Sequence, residues 1–526
     1  MTRRTAGIVG GGHNALVGAV TLARAGLDVT VLEQADEVGG CLWTQRHATG
    51  VLLERGAWEH GGVREVADAL RLAEHGLEYV DHPLLAGFVF GDGERRLFWS
   101  DVDRTAAELG ADGPAYRALV ERAGSLFGML DAFPAPPTLT EVAAALAGLR
   151  GGDDLFRSLL MPAETLLSAT FEDPHLVTAL GLYASHSQVP VWAPGSGMMA
   201  LVLPSGHGHT SCRPVGGSGA LPAALRAALE AAGGRVRTGA LVTALAPAAA
   251  GGGTVTLASG EQLAFDVVVS SVDLPRTSAL LGAAAPRMQR SSVGLHSGHF
   301  NICELTVSLV YSTPPDLPAM AVDPAAVWFA ADRLEDLRRG FGEVVAGRLP
   351  SSPWSMVGQV AQPPDVAGGA VWLSSIVPLH RADGPWTPVA ERAAADHVID
   401  SVARILGVDL RAHLVDVVVS GPATWGERLA GDGNPNHLDN TIDQLLGWRP
   451  PGHADLTTEL DWLHLTGAGQ NPGGGLSGAS GLAAAASVLS AGPGRRTGAV
   501  SRLSAEVRGL TRGLSAYRSM RKGTLR

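Results

Sequence analysis

The sequence is short of cysteine and has no long hydrophobic run. Its three cysteines, Cys41, Cys212 and Cys303, lie far apart without disulfide or metal-ligand spacing, which argues against a disulfide framework and fits a reducing compartment. No run of roughly 18 or more apolar residues occurs, and glycines followed by His13 and Asn14 interrupt the segment that could serve as a secretory signal. The sequence therefore predicts a soluble, cytoplasmic protein.

Charge is also scarce, and it is distributed unevenly. Charged residues make up 17% of the chain and the net charge is −11, but residues 490–526 hold nine Arg or Lys against Glu506 alone. The rest of the chain is therefore strongly acidic, which disfavours nucleic acid as a partner. Within the basic segment, apolar residues recur at helical spacing. We expect an amphipathic tail over residues 491–526, and residues 495–526 could contact a membrane surface, dock on an acidic protein surface or stay partly disordered.

A β-α-β unit opens the chain. Residues 6–9 are predicted to form a buried strand, a glycine turn follows, and residues 13–24 are predicted to be helical. Gly26 stands where a helix-ending glycine belongs, and residues 27–32 alternate and are β-branched, as in a second strand. This order of elements is typical of a nucleotide-binding fold.

The turn inside this unit fits the dinucleotide-binding pattern G-x-G-x-x-G/A. Gly10 allows the tight turn, Gly12 lets the backbone approach a pyrophosphate, and Ala15 permits close packing of helix on strand. His13 and Asn14 lie between them at the start of the predicted helix. The free N–H groups and partial positive charge of a helix N-terminus favour phosphate, so the sequence predicts dinucleotide binding here.

An acidic residue and two glycines extend the pattern. Glu33 ends the second predicted strand, where its carboxylate can accept hydrogen bonds from a ribose diol and would repel the 2′-phosphate of NADP. After a short spacer come the paired glycines Gly39 and Gly40. With these residues, the chain resembles the FAD-binding amine-oxidase and phytoene-desaturase superfamily, in particular its phytoene dehydrogenase-like branch of the pyridine nucleotide-disulfide oxidoreductase domain 2 type.

The resemblance extends to the middle and the end of the chain. Val242 falls where the family has a backbone contact to the adenine, and residues 465–478 are similar to its C-terminal flavin motif. The resemblance therefore implies an FAD cofactor, held near the C-terminus by Gly467, Gly469, Pro472, Gly474, Gly475 and Leu476.

One departure concerns the residues after the paired glycines. The family often has an arginine there that helps hold the phosphates, whereas this chain has Cys41, followed by Leu42, Trp43 and Thr44. The resemblance then implies that backbone N–H groups carry more of the phosphate binding.

The same features predict the fold. A chain of 526 residues with 46% hydrophobic residues is long enough for more than one domain of roughly 100–200 residues. We expect an α/β protein with a Rossmann-like FAD-binding domain assembled from residues 1–75, 210–285 and 455–490. An interleaved α+β substrate domain would take residues 76–209 and 286–454.

The resemblance also implies the chemistry. Flavin N5 accepts a hydride from an sp3 carbon, which gives desaturation, or isomerisation if the hydride is returned elsewhere. Aromatic residues are only 5% of the chain and no aromatic cage for an amine cation is recognisable, which favours a polyene, isoprenoid or carrier-bound acyl substrate. An amine oxidase of the same fold is the alternative, and a non-catalytic escort-type binding protein is a weaker one, because such a protein need not keep the glycines and Glu33.

Two neighbouring residues are candidates for the proton acceptor. Glu59 and His60 lie in a segment that, by the resemblance, passes close to the flavin, and the simpler alternative is a hydrogen-bonded pair that supports the fold. Tyr183, His186 and Trp192 are candidates for the substrate cavity or for ordinary core.

Other histidines and amides have less specific patterns. His207 and His209 form an H-x-H pair without a third ligand nearby, so no metal site is predicted. Asn434, Asn436 and His437 resemble the family's segment before the flavin motif, with no role assigned by their sequence.

Overall fold

The computed structural model describes residues 3–133, 135–295, 297–429 and 434–490. The predicted amphipathic tail, residues 491–526, lies outside the described residues. None of the helices in these ranges is both long and apolar enough to cross a membrane.

Strands and α-helices occur in mixed order along the described chain. The strands are β1 Thr5–Val9, β2 Asp28–Leu32, β3 Thr44–Arg46, β4 Leu52–Glu54, β5 Tyr79–His82, β6 Leu84–Phe90, β7 Arg95–Trp99, β8 Ser211–Pro214, β9 Arg235–Arg237, β10 Val242–Pro247, β11 Gly253–Leu257, β12 Gln262–Phe265, β13 Val267–Ser270, β14 Ile302–Tyr311, β15 Trp328–Ala331, β16 Ser355–Val360, β17 Gly369–Pro378, β18 Leu414–Ser420 and β19 Leu463–Leu465. The helices are α1 His13–Arg24, α2 Arg64–Ala69, α3 Val102–Glu108, α4 Gly113–Leu130, α5 Leu139–Ala147, α6 Gly152–Leu160, α7 Ala163–Ser168, α8 Pro174–Ser185, α9 Val202–Ser205, α10 Ala220–Ala231, α11 Leu274–Leu281, α12 Pro286–Ser292, α13 Leu334–Val345, α14 Pro388–Leu406, α15 Pro422–Arg428 and α16 Ala479–Ser490.

A parallel sheet of five strands is built from distant parts of the chain. Its order is β19-β13-β1-β2-β9, so the first, middle and last parts of the chain all contribute strands. Strand β13 pairs in parallel with both β1 and β19, and all four of its residues are buried, as a run of three valines predicts for a strand covered on both faces. The predicted α/β fold is confirmed, while the exact domain boundaries stay predictions.

Helices α1, α10 and α16 pack together beside this sheet. Helix α1 spans the predicted residues 13–24, and ten of its twelve residues are buried. Gly18 of α1 faces Gly481 of α16, so these two helices approach backbone to backbone. The apolar side chains between the layers, such as Leu16 and Leu225, are fully buried, and each contributes about 1.5–3 kcal/mol by leaving water.

A second sheet and a group of helices form the other half of the fold. The sheet has seven strands in the order β18-β14-β17-β16-β15-β6-β7, and β6 and β7 form an antiparallel hairpin. Helices α4 to α9 lie between β7 and β8 in the chain and share a large core with one face of this sheet. A cavity lined by residues of both halves lies between them.

Candidate functional site

One large cavity lies at the carboxyl ends of the parallel strands and continues to the second sheet. Its volume is about 2240 Å³, above the roughly 300–1,000 Å³ of an ordinary ligand pocket. Residues that follow β1, β2, β13 and β19 line one part, and residues of α4, α8, β14 and β17 line another. In open α/β sheets, ligands bind outside the carboxyl ends of the strands. The cavity therefore has room for a dinucleotide and a second molecule.

The structure brings nearly all of the predicted cofactor-binding residues together on this cavity. Among the described residues, Gly469 is the exception, since it lies behind the lining. The residues that line the cavity are Gly10, Gly12, His13, Asn14, Ala15, Glu33, Gly39, Gly40, Val242, Gly467, Pro472, Gly474, Gly475 and Leu476.

The turn between β1 and α1 is open toward the cavity. Gly10 has a φ of +91°, and a Cβ there would overlap Ser271 Oγ. Gly12 is the N-cap of α1 in an extended conformation, and no atom lies within 4 Å of the position that a Cβ would take. A glycine N-cap supplies no side chain to the first N–H groups of the helix, so they can bind a phosphate.

Glu33 is fixed at the end of β2. Its Oε2 accepts a hydrogen bond from Gly11 N at 2.6 Å, and its Oε1 accepts one from Ala35 N at 2.9 Å. Burial raises the pKa of Glu33, and these backbone donors oppose the rise. Each carboxylate oxygen has a second lone pair, so the group can still accept from a ribose hydroxyl.

Two buried side chains at the start of α1 are suited to a polar ligand. His13 Nε2 and Asn14 Oδ1 are buried without a hydrogen-bond partner in the part of the chain that the structure describes. Both residues line the cavity. Burial lowers the pKa of His13 to about 4, so its imidazole is neutral at physiological pH. Because an unpartnered buried polar atom costs about 1–3 kcal/mol, these residues fit a bound dinucleotide.

A buried arginine holds the C-terminal flavin motif in place. The Arg449 guanidinium is fully buried and donates hydrogen bonds to Ala468 O at 3.2 and 3.0 Å. It also donates to four carbonyl oxygens of the preceding segment, those of Asn436, Leu438, Asp439 and Gln444. The segment of Asn434, Asn436 and His437 thus packs on the flavin motif, and its Asn436 and His437 line the cavity. Nothing in the sequence around Arg449 indicates this role, because its acceptors are backbone atoms.

The two candidate proton acceptors differ in their position. Glu59 lines the cavity, and its Oε1 accepts hydrogen bonds from Gly61 N at 2.8 Å and Ser211 Oγ at 3.0 Å. His60 is fully buried behind the lining, with Nδ1 3.4 Å from Tyr79 Oη. Burial lowers the pKa of His60 to about 3. The geometry favours Glu59 and gives His60 a supporting position.

The part of the cavity away from the nucleotide turn is mainly apolar. Tyr183 and His186 line it, whereas Trp192 packs edge-on against Phe341 at 5.9 Å between ring centroids. Other lining side chains here are Phe127, Leu130, Trp58, Met198, Met199, Val202, Val327, Met356, Trp372, Leu445 and Leu446.

Glu304 is a lining residue that the sequence interpretation missed. It lies on β14, and burial raises its pKa to about 7, against the effect of the neighbouring Gln188 side chain. A signal was present, since Glu304 is the one charged residue in the otherwise apolar and hydroxyl-bearing run 302–311. It stayed unnoticed because the sequence does not show which face of the strand meets the cavity.

The H-x-H pair does not form a metal centre in the described structure. His207 Nε2 lies 2.7 Å from Tyr116 Oη. Among the described residues, no group of three or more His, Cys, Asp or Glu could hold a metal ion.

The fold and this cavity define a Rossmann-type dinucleotide-binding protein, and comparison with known proteins identifies its family. Residues 16–489 match the model of the flavin-containing amine oxidoreductase family. The chain belongs to this family: it is an FAD-dependent oxidoreductase, and the expected FAD cofactor is confirmed.

The similar proteins include a desaturase and two amine oxidases by name. The chain is 24% identical over 534 residues to the pyridine nucleotide-disulfide oxidoreductase domain-containing protein 2 of Mus musculus, covering 91% of this chain and 92% of the relative. It is 27% identical over 356 residues to the hydroxyneurosporene desaturase of Cereibacter sphaeroides, covering 65% and 69%. A structure of putrescine oxidase bound to putrescine has a TM-score of 0.61 at 17% identity, covering 93% of this chain and 99% of that one. Cyclohexylamine oxidase of Brevibacterium oxydans has a TM-score of 0.57 at 15% identity, covering 97% and 100%.

A substitution at Gly12 tests the nucleotide part of the cavity. We expect Gly12→Val to retain less than about one tenth of the wild-type FAD per chain, because the new side chain occupies the space for the phosphates. FAD content is measured from the absorbance of the purified protein, and folding from circular dichroism. Gly342→Val is the matched control, because Gly342 also has no atom within 4 Å of its Cβ position but lies on α13, away from the cavity lining. Full FAD content in a folded Gly12→Val protein would contradict the assignment.

Proposed function

We propose that this enzyme desaturates an apolar chain, such as a polyene, an isoprenoid or a carrier-bound acyl group, or moves a double bond along it. When bound, FAD supplies the hydride acceptor for such a reaction. The observation that carries the proposal is the apolar lining of the cavity beyond the nucleotide turn, with three methionines, Met198, Met199 and Met356, among its side chains. Methionine is unbranched and adapts to irregular shapes, which suits a long flexible substrate.

Glu59 is the proposed proton acceptor. Formation of a C=C bond releases a proton as well as a hydride, so a base must face the substrate. Glu59 lines the cavity, and so does Tyr183 of α8, whose pKa is raised mainly by burial and further by the charge of Glu59. Backbone and hydroxyl donors fix one carboxylate oxygen of Glu59, and this restricts the orientation of the group toward the substrate.

Oxidation of an amine is a second candidate, favoured by one residue. Glu304 puts a carboxyl group into the mainly apolar part of the cavity. A protonated amine would pair with the ionised form of this group, whereas an apolar substrate would leave it neutral. The comparisons support both candidates, because a desaturase is similar in sequence and because a putrescine oxidase and a cyclohexylamine oxidase have a similar fold.

Anaerobic mixing with candidate substrates tests the main proposal. We expect polyene, isoprenoid or acyl-carrier substrates to bleach the yellow colour of the purified enzyme, and we expect Glu59→Gln to bleach at least about a hundredfold more slowly while keeping its FAD. The measurement is flavin absorbance against time without oxygen. Bleaching by amines alone would refute desaturation and leave amine oxidation as the function.

The pH dependence of Glu304 separates the two candidates. Its pKa of about 7 means that the carboxyl is neutral below and ionised above that pH. If the substrate is an amine, kcat/KM rises as the pH increases through about 7, and Glu304→Gln loses this rise and at least about tenfold in kcat/KM. For an apolar substrate, we expect Glu304→Gln to stay within about threefold of the wild type.

Glu54→Gln is the matched control for that experiment. Burial also raises the pKa of Glu54 to about 7, but this carboxyl accepts hydrogen bonds from Ser218 N and Thr44 Oγ1 away from the cavity lining. A pH profile that is lost in Glu54→Gln and kept in Glu304→Gln would remove Glu304 from the site.

A further inference from the structure

Arg428 reaches the nucleotide part of the cavity from a distant part of the chain. It is the last residue of α15, and its Nε donates a hydrogen bond to Gly40 O at 2.7 Å. Gln34 Nε2, just after β2, donates to Glu427 O at 3.0 Å and to Arg428 O at 3.1 Å. These bonds attach the end of α15 to the edge of the dinucleotide site.

The contact at Gly40 puts Arg428 beside the glycine turn. Gly39 pairs with Gly12 as a parallel bridge, and Gly39 N donates to Gly11 O at 2.9 Å. Gly12 begins α1, whose N–H groups face the cavity. Both Arg428 and Gly12 line the cavity, so its guanidinium and the start of α1 face the same space.

The charge of Arg428 lacks a protein partner in the part of the chain that the structure describes. Its Nη2 is buried without a hydrogen-bond partner among the described residues, and none of their carboxylates lies within 4.0 Å of the guanidinium, the limit for an ion pair. The other lining arginine in that part, Arg276, has Asp273 at 3.3 Å. Burial lowers the pKa of Arg428, and the negative charges of Glu33 and Glu37 oppose this. An arginine stays protonated in proteins, so the group carries a positive charge.

The guanidinium is also held rigidly. Arg428 stacks on the Trp43 ring with its guanidinium carbon 4.2 Å from the ring centroid, and the guanidinium carbon of Arg55 lies 4.4 Å from the same centroid. Arg55 donates hydrogen bonds to Ser420 Oγ and Val419 O, so its charge is engaged elsewhere. Trp43 therefore orients Arg428 without using its N–H donors.

We propose that Arg428 is a cofactor-binding residue that pairs with the pyrophosphate of FAD. It supplies from α15 the positive charge that is absent after the paired glycines, where this chain has Cys41. A guanidinium presents two parallel N–H groups to phosphate oxygens, and such charged hydrogen bonds are stronger than those from backbone amides. Arg428 would then share the phosphate binding with the backbone N–H groups on which, by the family resemblance, this chain depends more heavily. This inference rests on the assignment of the cavity to FAD and is independent of the proposed substrate.

The test measures FAD retention by the full-length holoenzyme, without any substrate. We expect Arg428→Met, which keeps the packing on Trp43, to raise the dissociation constant of FAD about ten- to hundredfold. Arg428→Lys keeps the charge but loses the paired donors and should lie in between. Flavin fluorescence reports the released cofactor. Added salt should weaken FAD binding in the wild type more than in Arg428→Met, because a charge pair is screened.

Arg46→Met is the matched control, because Arg46 is an exposed arginine of β3 that donates to Gly50 O and does not line the cavity. It should bind FAD as the wild type does. The proposal is overturned if Arg428→Met binds FAD with wild-type affinity and salt dependence. If Arg428→Met does not fold, wild-type affinity in Arg428→Lys, with unchanged salt dependence, overturns it equally. Because no turnover is measured, an error in the proposed substrate cannot produce either result.

Discussion

The parallel pairing of β13 with β1 on one side and β19 on the other is the interaction on which the site depends. It joins strands from the first, middle and last parts of the chain in one parallel sheet. The loops at the carboxyl ends of these strands therefore open into the same cavity. Such a sheet is buried on both faces, and apolar burial of about 25 cal/mol per Å² holds it together. The glycine turn before α1 and the glycine-rich turn before α16 meet only because of this pairing.

Local patterns allowed much of the nucleotide part to be predicted. The bounds of α1, the turn at Gly10 and Gly12, and the position of Glu33 follow from short-range rules of helix starts, tight turns and strand ends. The C-terminal motif was recognised by its resemblance to the family, and the structure puts Gly467 on the same cavity as Gly10.

The residues that the sequence did not predict are defined by long-range contacts. Arg428 meets Gly40 across 388 positions, and Arg449 bonds to backbone carbonyls that carry no side-chain pattern. Glu304 shares the more polar face of its strand with Thr306 and Ser308, and only the fold shows that Glu304 lines a cavity and not the protein surface. Glu59 and His60 are adjacent in the sequence but differ in their surroundings: Glu59 lines the cavity, whereas His60 is fully buried. The sequence alone does not show this difference.

The central claim is that three distant glycine-bearing segments hold one FAD molecule in an extended form. A crystal structure of the purified full-length chain tests it most directly. We expect continuous density for one FAD per chain, running from Glu33 past Gly12 to Gly475, along the cavity that these residues line. FAD bound elsewhere, or a cavity that stays without the cofactor when FAD is supplied in excess, would contradict the account.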